Sequence, residues 1–143
     1  MTAARARKQT SANFAVSCDG GIVTVAVDGP VTPAVGDELM RLSLQGLREH
    51  GVHRVLQDLR RARTVESTLH LIQRPRLAEE MGFPDDVRLA LLCKVVSTDI
   101  EMLVNLAHAR GHAVRAFTDG AQAIAWLEAD RPGARAAGDR AVR

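Results

Sequence analysis

Arg54-Val-Leu-Gln-Asp-Leu-Arg-Arg-Ala-Arg-Thr-Val-Glu-Ser-Thr68 decides the fold. It opens as an apolar strand, passes into a charged turn and finishes on hydroxyl residues suited to begin a helix. The strand, Val52 to Asp58, follows a helix that Thr32 and Pro33 begin as N-cap and first-turn proline, and that Gly51 stops after His50. Val35, Leu39, Leu42 and Gly46 share one face of that helix, and Gly46 lets it approach a sheet closely. A strand reached by a helical crossover pairs parallel with its sheet neighbour, so this centre already specifies α/β architecture.

Toward the N-terminus, Phe14 to Cys18 alternates, Asp19-Gly-Gly21 makes a turn and Ile22 to Val27 is β-branched. These read as an antiparallel hairpin that Asp28-Gly-Pro30 closes. Toward the C-terminus, a second helix from about Val65 carries Leu69, Ile72 and Leu77 and is kinked or split at Pro75, which lacks an N–H. Val87 to Val96 is nearly continuous apolar sequence, the pattern of a strand covered on both faces. Thr98-Asp-Ile-Glu101 matches a capping box for a helix with Ile100, Leu103, Val104 and Ala107 inward, and Gly111 stops it. Ala113 to Phe117 is the last strand, and Asp119 caps a final helix with Ala123, Ile124 and Leu127 inward and Trp126 beside them. The expected fold is a single α/β domain, a mixed, mostly parallel five-stranded sheet flanked by helices, in the order β-β-α-β-α-β-α-β-α.

The 143 residues make one domain of ordinary size, and 46% apolar content is enough to bury a core. The ends are rich in Ala, Arg and Gly without apolar periodicity, so a domain over residues 12–129 is expected between a disordered basic tail, 1–11, and a disordered C-terminal tail, 130–143. Arg5, Arg7 and Lys8 at one end and Arg131, Arg135, Arg140 and Arg143 at the other hold the basic surplus. The formal charge of +2 therefore covers a mildly acidic body, which argues against nucleic-acid binding. No apolar run approaches the roughly 20 residues of a membrane span, and the first residues lack the apolar core of a secretory signal. A cytoplasmic protein is expected, with Cys18 and Cys93 as reduced thiols.

Three segments resemble the bacterial STAS-like, or SpoIIAA-like, proteins, which are related in shape to the CRAL-TRIO lipid-transfer domains. They are the strand end Gln57-Asp58-Leu59, the pattern Ala109-Arg-Gly-His-Ala-Val-Arg-Ala-Phe117 and the helix Ala123-Ile-Ala-Trp-Leu127. The order of elements matches as well, and the resemblance spans about Phe14 to Glu128. Its most specific part, the closing one, is structural, so it identifies a fold better than an activity. In the anti-sigma-factor antagonists of that family, a strand ending in Asp or Asn and then Leu is followed by Asp-Ser-Ser-Gly, whose second hydroxyl residue a partner kinase phosphorylates. Laid on this chain, Asp58-Leu59 matches the first element and Glu66-Ser67-Thr68 the second. The resemblance thus implies an interaction and phospho-acceptor region at Asp58, Ser67 and Thr68, with Thr68 as the acceptor. Leu69 stands where the family has glycine, and a leucine there is expected to turn into the core. Ser67 and Thr68 also serve simply as residues that cap or face a helix start.

Asp58 ends a central strand, where open α/β sheets place ligand-binding groups, and Arg60, Arg61 and Arg63 follow it. The cluster makes either an anion-binding turn beside a helix N-terminus or a surface ion pair. His108 and His112 have metal-ligand spacing, but Gly111 interrupts the helix between them and no third ligand can be named, so neither metal nor cofactor is expected. With no nucleophile elbow, phosphate loop or Gly-x-Gly-x-x-Gly, no enzyme is expected either. Arg74-Pro-Arg76 is charged and expected at the surface, and the apolar residues around it make 69–82 either a flap over a cavity or ordinary packing.

The reading that follows is a non-catalytic STAS-like interaction and regulatory module. Its face from Asp58 to Thr68, with apolar side chains of the second helix such as Leu71, docks a protein partner or a second copy as a homodimer. The alternative is a domain that binds a small molecule or lipid in an apolar cavity beside the kinked second helix.

Overall fold

The computed structural model describes residues 5–9, 12–65 and 67–129, with side chains from residue 13 onward. The strands expected from the sequence are β2 (Ala12–Asp19), β3 (Ile22–Val31), β4 (Arg54–Thr64), β5 (Arg88–Leu92) and β6 (Ala113–Phe117). A sixth, β1 (Arg5–Gln9), precedes them, and all six lie side by side in chain order. β1, β2 and β3 pair antiparallel and β3 to β6 pair parallel. The segment expected to be part of a disordered tail over 1–11 is thus an edge strand from Arg5 to Gln9, pairing Arg5 with Val16 and Gln9 with Ala12. A polar, basic edge strand carries no apolar alternation, so its sequence looks like a tail. The proposed tail 130–143 lies outside the described residues.

The helices are α1 (Pro33–His50), α2 (Thr68–Ile72), α3 (Arg74–Met81), α4 (Thr98–Ala109) and α5 (Gly120–Ala129). α1 begins as expected, with the Val35 N–H donating to Thr32 Oγ1 at 3.2 Å, and ends at Gly51 in the left-handed region. The second helix splits into α2 and α3 where Pro75 occupies the first turn of α3 and cannot continue α2. α4 is capped by Ser97, whose hydroxyl accepts from the Ile100 N–H at 3.1 Å, one residue before the Thr98 of the expected capping box.

Alternation along the parallel strands sends two residue sets to opposite faces. Val23, Val55 and Leu91 face α1 and α4, whereas Ile22, Leu56, Ala90, Leu92 and Phe117 pack under Ala123 and Leu127 of α5. On the α5 side, Arg54 Nε donates to the Leu127 carbonyl at 2.7 Å and Arg88 Nη1 to the Trp126 carbonyl at 2.9 Å, which ties the last turn of α5 to β4 and β5. The α1 side holds the candidate site, because there α2 and α3 bridge the space between α1 and α4.

Candidate functional site

The central strand does not stop at Asp58. β4 pairs with both neighbours only as far as that residue, where β5 ends, and then continues beside β3 alone to Thr64. Between the pairs Ala26–Asp58 and Asp28–Arg61, two steps on β3 are matched by three on β4, so the extra residue is a bulge in β4. The bulge shifts the alternation, and Leu59 and Ala62, three apart, both face the helix side. The expected charged turn is therefore a strand, the arm β3 28–31 with β4 61–64, and it closes with the Val65 N–H donating to the Val31 carbonyl at 3.1 Å.

This extension separates residues that the resemblance groups. The strand from Asp58 to Thr64 covers about 20 Å at roughly 3.3 Å per residue, so Asp58 does not share a pocket with Ser67 and Thr68. Asp58 instead holds Arg60, its neighbour two residues on and on the same face. Arg60 Nε and Nη2 donate to the two carboxylate oxygens at 3.0 and 2.8 Å, and the Arg60 N–H donates to one of them at 3.2 Å. These bonds hold the Asp58 carboxyl below its usual range despite its partial burial. Arg61 lies 3.8 Å from Asp28, and Arg63 is exposed further along the arm. The three arginines do not converge.

Ser67 is the N-cap of α2. Its hydroxyl accepts from the His70 N–H at 3.3 Å and lies 3.0 Å from His70 Nδ1. Thr68 is the first residue of the helix and is exposed. Leu69 also points outward, 59% exposed, against the expectation that it would turn inward. Leu71, expected on the docking face, is buried at 5%. One five-residue helix offers too little periodicity to decide such faces from sequence, and the structure reverses both leucines.

Arg74, expected at the surface, is buried. Its guanidinium crosses α1 at Gly36 and donates from Nη1 to Asp37 Oδ1 at 3.0 Å, fixing the start of α3. At the other end of α3, Glu79 accepts from Arg110 Nε and Nη2 at 2.8 and 2.6 Å and lies 2.7 Å from His112 Nε2. Arg110 and His112 together bring the Glu79 carboxyl down to about 2. His108 Nε2 lies 2.7 Å from the Val114 carbonyl, so the two histidines with metal-ligand spacing face different partners.

Beneath this doubly fastened α2–α3 segment lies a partly enclosed cavity of about 180 Å³, walled by side chains that include Leu39, Leu59, Leu71, Pro75, Leu91 and Leu103. Gln57 and Cys93 reach it from β4 and from just beyond β5. Burial, with the Asp58 charge adding, pushes the Cys93 thiol up. Gln57 was not singled out from sequence, although alternation from Val55 through Gln57 to Leu59 places it on the inward face.

The architecture matches solved structures. An anti-sigma factor antagonist from Mycobacterium paratuberculosis superposes with a TM-score of 0.56 at 12% identity, over 82% of this chain and 94% of that one. The SpoIIAA-like architecture is the shared feature. This chain has the SpoIIAA-like fold. An uncharacterised Shewanella loihica protein described as having that fold matches at a TM-score of 0.53 and 15% identity, over 85% of this chain and 97% of the other. The anti-sigma factor antagonist SpoIIAA, in its unphosphorylated form, matches at 0.53 and 12% identity, over 82% and 99%. No protein-family model and no curated protein sequence matches. Within the SpoIIAA-like fold, the helix start bearing Ser67 and Thr68 follows the central strand, and no helix among the described residues is long and apolar enough to cross a membrane.

Proposed function

We propose that this chain is a non-catalytic regulatory module that docks a protein partner through the C-terminal edge of its sheet. One observation carries the reading. Of the five large apolar side chains most exposed among the described residues, four lie at that edge: Val65 at 47%, Leu69 at 59% and Ile72 at 36% along the β4–α2 stretch, and Val95 at 72% in the loop after β5. Parallel pairing points β4 and β5 the same way, so all four lie beyond C-terminal strand ends, and Val65, Leu69 and Ile72 along the β4–α2 stretch are exposed apolar side chains of the kind that marks an interaction site. The anti-sigma factor antagonists that share the fold support a regulatory partner. Thr68 is exposed beside Leu69 at the start of α2, and a phosphate on it would add a charge of about −2 next to these apolar side chains and weaken docking. Ser67 is the second hydroxyl there. Asp58 and Arg60, locked to each other earlier on the β4 strand, make a fixed pair rather than an anion pocket. Two free cysteines suit a cytoplasmic setting.

The test is affinity capture from the source cells combined with sedimentation velocity. A partner, or a second copy of the chain, is retained by the natural sequence and by Gln122→Arg on α5, and is lost with Leu69→Arg and with Thr68→Glu. An unchanged partner set and sedimentation profile for Leu69→Arg overturns the proposal.

A further inference from the structure

We propose that the cavity under α2 and α3 is a binding site for a small, neutral, single-ring compound with one hydrogen-bond donor, a phenol-like molecule whose hydroxyl is received by the side-chain oxygen of Gln57. The inference is independent of the docking surface and rests on an acceptor buried without a donor.

Gln57 is 4% exposed. Its amide group faces Ser43, with Nε2 3.0 Å from Ser43 Oγ, and Ser43 Oγ donates its hydrogen to the Leu39 carbonyl at 2.8 Å. A hydroxyl has one hydrogen, so with that hydrogen committed to Leu39 the group presented by Gln57 must be the donor. This fixes the amide orientation. Its carbonyl oxygen then accepts no hydrogen bond among the described residues, and Gln57 is part of the cavity wall. A polar atom left unsatisfied in an apolar site costs free energy that a donor arriving in the cavity would recover.

The rest of the wall sets the ligand's body. It is mostly aliphatic, and a cavity of about 150 Å³ lined by such side chains takes up benzene, so the 180 Å³ here fits one ring with one small substituent. A carboxylate is excluded, since burying its charge beside the Gln57 oxygen brings repulsion as well as desolvation. Long acyl chains are too large for the volume. The α2–α3 segment roofs the site, with Leu71, Pro75 and Ala78 facing it, so a ligand enters when one of the two fastenings of α3 opens.

Ligand-observed NMR and calorimetry on the full chain, with phenol, toluene and benzoate as probes, test the site. Phenol and toluene are expected to bind saturably and compete with each other, and benzoate to show no saturable binding. Gln57→Leu keeps the shape but removes the acceptor, and it should weaken phenol at least about fivefold while leaving toluene within about twofold. Ala78→Leu fills the cavity from the half-buried roof and should remove binding of both probes, which keeps the test decisive if Gln57→Leu fails to fold. The proposal is overturned if no probe saturates, which would mean a cavity holding water only. It is overturned equally if Ala78→Leu leaves binding intact, or if phenol binds Gln57→Leu as well as it binds the natural protein.

Discussion

The guanidinium of Arg74 fills the space that a side chain at Gly36 would need: a Cβ built on Gly36 would lie 1.8 Å from Arg74 Nη2 and 2.6 Å from its Cζ. Gly36 is thus a notch in α1 that receives the buried head of a residue from α3, beside the Asp37 carboxylate that binds it.

Gly36→Ala must expel the arginine, and two effects then compete. Alanine in a helix interior favours α1 by about 1 kcal/mol over glycine. Displacing Arg74 loses a charge-assisted hydrogen bond of about 1.5–3 kcal/mol and the packing of its stem. A net loss of about 1 kcal/mol is expected, with faster amide exchange confined to α2 and α3. In an Arg74→Ala background the same glycine substitution should become stabilising by roughly 0.5–1 kcal/mol, because only the propensity remains. Denaturant midpoints of the four proteins in this cycle check the change of sign.

Gly46 offers a contrast with no flexible neighbour to move. A Cβ there would sit 2.6 Å from Val23 Cγ1 and 3.3 Å from Cγ2, and Val23 is fully buried on β3. Gly46→Ala should therefore push α1 off the sheet. Overpacking costs about 1–3 kcal/mol, which exceeds the helix gain of about 1 kcal/mol. Val23→Ala is expected to relieve the clash, so the double variant should be more stable than the sum of the two singles predicts. A chemical denaturation series measures this.

The close approach at Gly46 was legible because glycine on the apolar face of an amphipathic helix has few other uses. The capping residues Thr32, Gly51 and Asp119 were legible for a similar reason, since each acts within its own turn. The notch at Gly36 was not, since its meaning depends on a residue thirty-eight positions away. Likewise β4 past Asp58 looked like a charged turn because the bulge breaks the period of two: Leu59 and Ala62 both turn inward, and the arginines between and beside them look like loop. The cavity needed Gln57, Leu71 and Leu103 from three separate elements, and no local pattern joins them.

Acid should release the C-terminal fastening of α3. Glu79 has a folded-state pKa of about 2, depressed from an ordinary 4.5 by Arg110 and His112. A depressed carboxylate stabilises the fold above its unfolded pKa and loses that contribution as pH falls through the folded value. The contribution of Glu79 is thus complete above about pH 4.5 and fades between there and about pH 2. Glu79→Gln should be less stable than the natural protein at pH 6, with the gap narrowing across that window and closing near its lower end. Urea midpoints against pH test it, and a gap that stays constant below pH 4.5 would contradict the assignment.

Leu69 and Leu71 sit two residues apart in α2 with opposite exposure, so they should separate stability from docking. Leu71 faces the cavity from its roof, and Leu71→Ala should cost about 2 kcal/mol, the low end for a buried leucine because part of its surroundings is already void. Leu69→Ser removes an exposed side chain and should change stability by less than about 0.5 kcal/mol. On a partner the ranking inverts: Leu69→Ser should weaken association by an order of magnitude or more, since desolvated apolar anchors carry most of such contacts. Leu71→Ala should weaken it only to the extent that α2 is loosened. Thermal unfolding and partner titration on the same two variants decide the matter, because a surface role and a core role move the two readouts in opposite order.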